Sequence, residues 1–182
     1  MPTQMVYLEY VTQVPMSLRL YVSPPVLITP VRKGGFENIL VITDHFTRYA
    51  QAVPCLSQKA HVTAKALYEN FIAFYSFPVR LHSDQGRIFE SKIIKELRKL
   101  AVVSKFRTTP YHPMGNGQVE RFNRILLSML GTLEHGQKAD WKSYVVPLVQ
   151  AYNATKNDST GYSPHFLMFG WHPRLQMTHS LV

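Results

Sequence analysis

Asp84 and Glu120 are the two acids whose settings could do chemistry. Asp84 ends the run "FPVRLHSD", which begins at a proline and is stopped by Gly86, so it stands at a strand end. Glu120 lies on the first turn of a helical pattern over 118 to 135, entered through the loop of "TTPYHPMGNGQVERFNR". Strand ends in α/β sheets, where the chain turns, are where ligand and metal sites gather. Each acid also has a plainer reading. Asp before Gln-Gly is a common turn, and a Glu at a helix start is favoured by the backbone dipole. On a helical wheel Glu120 lies opposite Phe122, Ile125, Leu126, Met129, Leu130 and Leu133, on the polar face with Arg124. It faces away from a core, which suits both readings. The interval between the acids, residues 85 to 119, is thirty-five residues long.

The elements that must position these acids alternate in type. Residues 1–35 read as irregular or edge-strand material with a degenerate first strand, because "YVSPPVLITPVRKGG" carries three prolines and a basic, Gly-rich exit. "ENILVITD" is a β-branched apolar run ending in a polar turn, and "RYAQAVP" follows it at hairpin distance. Residues 58 to 75 carry Val62, Ala66, Leu67, Phe71 and Phe74 at helical spacing. Ser91 is placed to cap a helix with Ile93, Ile94, Leu97 and Leu100 in one stripe. "VVSKFRTT" reads as a further strand, and "WKSYVVPLVQAYNAT" as a helix that Pro147 should kink or break. "SPHFLMFG" is a short apolar piece that closes the pattern. The order implies a three-layer α/β domain with a mixed sheet.

Composition narrows the partners. Twenty Lys and Arg against eleven Asp and Glu give a net charge of +9, which favours a polyanion, nucleic acid before membrane. The single cysteine, Cys55, excludes an intrachain disulfide and reads as a small buried residue. No zinc-finger spacing occurs, and the longest apolar run is far too short to span a bilayer. No leader with a cleavage site is visible, so the chain is expected inside the cell, nuclear or cytoplasmic.

"HSDQG", the thirty-five-residue interval and "TTPYHPMGNGQVERFNR" together resemble the second half of the Asp, Asp-35-Glu signature of retroviral and gypsy-class retrotransposon integrases. "ILVITDHFTRYAQAVP", "DWKSYVVPLVQAYNAT" and "STGYSPHFLMFGWHPRL" extend the resemblance over residues 34 to 176. It implies an RNase H-like fold, a mixed five-stranded sheet flanked by helices, with the core at 36–176 and a tail at 177–182. It also implies strand transfer at phosphorus, assisted by two hard cations. Asp84 and Glu120 would be two of three acids holding Mg²⁺ or Mn²⁺, which take oxygen ligands. His112, Asn116, Gln118, Arg121, Asn123 and Arg124 would be candidates for contacts to DNA. The resemblance further implies a DNA partner and a dimer face, with neither a membrane nor a small-molecule substrate.

One part of the signature is missing. The family's first acid belongs on the first strand, in a segment ending in Asp followed by an aromatic. Between Glu9 and Glu37 this chain has no acid. Only thirty-nine residues (45 to 83) separate Asp44 from Asp84, fewer than separate the family's first acid from its second, and Asp44 aligns with the second strand. Glu9 sits too far upstream unless an insertion intervenes. The expectation is a nucleic-acid-binding core whose metal binding is weak or lost and whose catalysis is severely reduced or absent. The alternatives are a non-enzymatic interaction scaffold, and an active transferase that recruits Asp44 or Glu9. The family's zinc-binding and C-terminal modules have no counterpart in these residues.

Overall fold

The computed structural model of the chain describes residues 17–23, 35–78, 80–83, 87–100 and 117–174. Strand β1 is Ser17–Ser23, β2 Asn38–Asp44, β3 Ala50–Cys55 and β4 Arg80–Ser83. Helix α1, Ala60–Leu67, runs through a π-helical turn at Tyr68–Ile72 into α2, Ala73–Tyr75. Then come α3 (Arg87–Leu100), α4 (Gly117–Gly131), α5 (His135–Ala139), α6 (Lys142–Ala154) and α7 (Pro164–Phe169). The strand order is β3-β2-β1-β4, with β1 antiparallel to β2 and parallel to β4. The sheet is therefore mixed. Four strands are described; the strand expected at "VVSKFRTT" lies outside the described residues.

Every residue of β2 is buried. A strand covered on both faces has no polar side to show, which is why "ILVI" is a continuous apolar run rather than an alternation. Its alternate residues feed two cores. Leu40 and Ile42 pack with Leu18, Leu67, Phe71, Ile93 and Leu97 against α1 and α3. Ile39 and Val41 pack with Phe122, Leu126, Trp141, Val145 and Val149 against α4 and α6. Cys55 is buried in the first core, and burial pushes its thiol up to about 11.

Several expectations change in the folded chain. Residues 17–23 form neither irregular nor edge structure: β1 is an inner strand, hydrogen-bonded on both sides. Its nearest prolines, Pro15, Pro24 and Pro25, lie just outside it, so they bound the strand instead of breaking it. Ser91 is not a cap, because α3 already starts at Arg87. Phe74 is 74% exposed rather than part of the α1 stripe, beyond the π-helical turn that shifts the helical phase. Pro147 does not break α6, which continues through it. A single backbone bond is forgone there, while Trp141, Val145 and Val149 hold the helix to the core. No described helix is long and apolar enough to cross a membrane.

At the outer edge of β3, the buried Asn153 of α6 donates to the Ala50 carbonyl at 2.8 Å and accepts from the Ala50 N–H at 2.9 Å. One carboxamide thus stands in for a neighbouring strand, and Pro54, two steps of the pleat further on, offers that edge no donor. Truncation of Asn153 would strand two backbone groups. Asn153→Ala is expected to lower the unfolding free energy by about 1–3 kcal/mol, measured by urea denaturation; an unchanged midpoint would mean that water replaces the carboxamide at no cost.

Candidate functional site

Strand β4 ends at Ser83, one residue before Asp84. Asp84 itself lies outside the described residues, as do Glu9, His112 and Asn116. The strand beside β4 is β1, in parallel register: Ser17 with Arg80, Leu18 with Leu81, Arg19 with His82 and Leu20 with Ser83. Over all seven positions, "SLRLYVS", β1 carries no carboxylate. Leu20-Tyr21 is where an acid followed by an aromatic would reach the end of β4. The proline-rich surroundings hid this strand in the sequence, and only its pairing on both sides identifies it.

Helix α4 carries the other acid. Val119, Phe122, Leu126 and Leu130 are buried against the sheet, following the spacing of one helical face. Glu120, on the first turn, is exposed, and so are Arg121 and Arg124. Gln118 belongs to the same helix, but its side chain lies outside the description. Asn123 departs from expectation. It is only 7% exposed, four residues after Val119 and three before Leu126, so it lies on the buried face rather than the exposed one of Glu120, Arg121 and Arg124. Ile125, expected in the buried stripe, is 38% exposed. Among the described residues no group of three His, Cys, Asp or Glu could hold a metal ion.

Asp44 has a local task. It ends β2 and is 4% exposed. Its Oδ2 accepts from both the backbone N–H and the hydroxyl of Thr47, each at 2.8 Å. Its backbone accepts from the Arg48 N–H and donates to the Tyr49 carbonyl, closing the β2–β3 hairpin. Asp44 pairs with Leu18, on the side of β1 away from β4. It stands roughly 12 Å from Ser83 at ordinary strand spacings, two strands across and two residues along.

The hairpin also places a residue that sequence reasoning missed. Arg48 has φ of 64°, a left-handed conformation uncommon for a residue with a side chain. Its Nη1 is buried without a hydrogen-bond partner among the described residues. Burial lowers its pKa; Tyr152 and Asp44 pull the other way, and nearby Arg121 adds to the lowering. Arg48 and Arg121 thus bring two like charges to one flank of α4. The only signal in the sequence is a hairpin turn, "DHFTR", that contains no glycine.

No protein-family model matches the chain. Over 138 residues, 75% of this chain, it is 35% identical to part of the Pro-Pol polyprotein of simian foamy virus type 1. It is 30% identical over 141 residues, 78% of this chain, to the Gag-Pol polyprotein of avian reticuloendotheliosis virus. The Pol polyprotein from transposon 412 of Drosophila melanogaster is 28% identical over 141 residues, also 78% of this chain. The matched segments span only 12%, 12% and 11% of those proteins. Among solved structures, the catalytic core domain of BIV integrase aligns with a TM-score of 0.57 at 18% identity, covering 86% of this chain and 95% of that one. The HTLV-2 integrase catalytic core, solved in complex with magnesium in a trimeric form, aligns with a TM-score of 0.56 at 15% identity, covering 85% and 96%. The chain therefore has the RNase H-like α/β fold of retroviral integrase catalytic cores, carried on a sequence similar to one segment of retroviral Pol polyproteins.

Proposed function

We propose that this chain is a DNA-binding domain on an integrase core of gypsy-class origin, in which polynucleotidyl transfer is severely impaired. One observation carries the reading: β1, the strand that runs beside the one leading to Asp84, has no carboxylate. On this reading the core spans 36–176 together with β1, its fifth strand is "VVSKFRTT", and Asp84 and Glu120 are what remains of the metal-holding set. Two carboxylates suit a single loosely held Mg²⁺ or Mn²⁺, which would be held by oxygen and keep several waters. They do not suit the paired cations of in-line displacement, so the residues do not fit the full metal centre. Asp44 is a poor replacement, since its Oδ2 is engaged by Thr47 and it lies across β1 from Ser83.

The DNA-binding half rests on the +9 charge and on the exposed Arg121 and Arg124 beside Glu120. Contacts of this kind are to phosphate, so they position the nucleic acid without reading its sequence. A homodimer through the face this fold commonly offers is compatible with the same surface.

Strand transfer and 3′-processing should be undetectable with the purified chain in Mg²⁺ or Mn²⁺. Paired metals supply several kcal/mol of charge stabilisation at phosphorus, and about 1.4 kcal/mol is a tenfold change in rate. Leu20→Asp, with Tyr21→Asp as the neighbouring position, should raise Mn²⁺ affinity by titration calorimetry. Robust activity of the unaltered chain, lost in Asp44→Asn or Glu9→Gln, would sink the reading and make that acid the third ligand.

Asp44→Ala should instead act on stability. It strands both buried Thr47 donors and is expected to cost about 1–3 kcal/mol in denaturant unfolding, while leaving Mn²⁺ affinity where it was. A parallel fall in Mn²⁺ affinity would assign Asp44 to the metal.

Binding to duplex DNA should fall steeply with salt, with little sequence preference. Arg124→Ala should weaken it and reduce the slope of log affinity against log salt by about 0.9, the share of one duplex phosphate. No measurable binding at low salt would favour a protein-interaction scaffold instead.

A further inference from the structure

Between α4 and the segment that follows α6 lies a pocket of about 360 Å³. Part of its lining is apolar: Ile125 and Met129 from α4, Ala151 from α6 and Pro164 from α7. The rest is polar and cationic, with Arg121 from α4 and Thr155, Lys156 and Ser159 from the segment after α6. Tyr152 lines the pocket as well, its ring tilted by 57° to that of Phe122 with centroids 4.5 Å apart. Burial raises its pKa, although a hydrogen bond with Asn157 and the charges of Arg48 and Arg121 pull the other way. Asp158 is the one acid in the lining among the described residues.

These features select a ligand class. A face that met only duplex phosphates would need charge but no apolar lining. A pocket for a purely apolar ligand would not gather Arg121 and Lys156 in its lining, with Arg48 close by. Ligand pockets begin at about 300 Å³, so this one has room for a small unit. The bases of a duplex are stacked inside it and cannot enter such a pocket; an unpaired base can.

We propose that this pocket takes one unpaired nucleotide of a DNA strand, its base and sugar on Ile125, Met129 and Pro164, its phosphate between Arg121 and Lys156. The proposal rests on the DNA-binding reading above and adds a preference to it. The site lies on the flank of the helix whose first turn carries Glu120. Asp158 opposes the phosphate and tunes the affinity downward.

The test measures fluorescence anisotropy of a labelled short oligothymidylate and of a hairpin duplex with the same number of phosphates, across a salt series. The single strand should bind more tightly. Lys156→Ala and Arg121→Ala should each weaken it and lower its salt slope by about 0.7, the share of one single-strand phosphate. Asp158→Asn should tighten it. Lys95→Ala removes the same charge from an exposed position on α3, the helix on the other side of the sheet, and should change little. If the chain binds DNA but Lys156→Ala behaves like Lys95→Ala, the pocket proposal falls and the DNA reading stands. If the chain binds neither form at low salt, both fall. Displacement of the oligothymidylate by a poly-glutamate peptide of equal charge, at equal concentration, would show that only charge is read and would also overturn the proposal.

Discussion

Strand β1 is the piece on which the described fold depends. The β2–β3 hairpin and β4 join one sheet only because β1 lies between them, antiparallel to one and parallel to the other. Its Leu18 is fully buried against Leu40, Leu81 and the helices of the first core. An inner strand satisfies its backbone groups on both sides, so the cost of burying them is met by pairing rather than by side chains. Two cores then form, one on each face of β2. The second core sets the position of α4, and with it the outward direction of Glu120, Arg121 and Arg124.

The same strand shows that the described fold does not rest on a carboxylate in β1. A carboxylate in the middle of a sheet is a burden on folding unless a cation or hydrogen bonds offset its desolvation. No position of "SLRLYVS" carries that burden, and both apolar cores form without an acid in β1. The arginines of α4 and the hairpin arginine Arg48, whose turn is held by the bonds between Asp44 and Thr47, do not require a metal to carry their charge.

Local devices protect this arrangement at its edges. Asn153 covers the exposed side of β3 at Ala50 with two hydrogen bonds, tying α6 to the hairpin. At α7, Ser163 caps the helix by accepting from the Phe166 N–H at 3.2 Å, Pro164 occupies its first turn and Gly170 ends it with φ of 78°. The stop is one that glycine adopts without strain. Such features act within a few residues or through one side chain, and they leave the sheet order to longer-range packing.

The elements legible from the residues alone were those with strong local patterns. The run "ILVI" announced a strand, the spacing of Phe122 to Leu133 announced a helix with Glu120 turned outward, and "SPHFLMFG" announced a short apolar piece at the end of the pattern. The absence of an acid between Glu9 and Glu37 was equally plain. Tertiary structure alone decided that "SLRLYVS" is an inner strand, that Asn123 is buried, that Pro147 rides inside a helix and that Arg48 approaches Arg121. The reason is physical. Periodicity and capping are interactions between near neighbours in the chain, whereas a strand's place in a sheet, or a side chain's burial, is set by partners dozens of residues away, whose pairing leaves no local mark on the sequence.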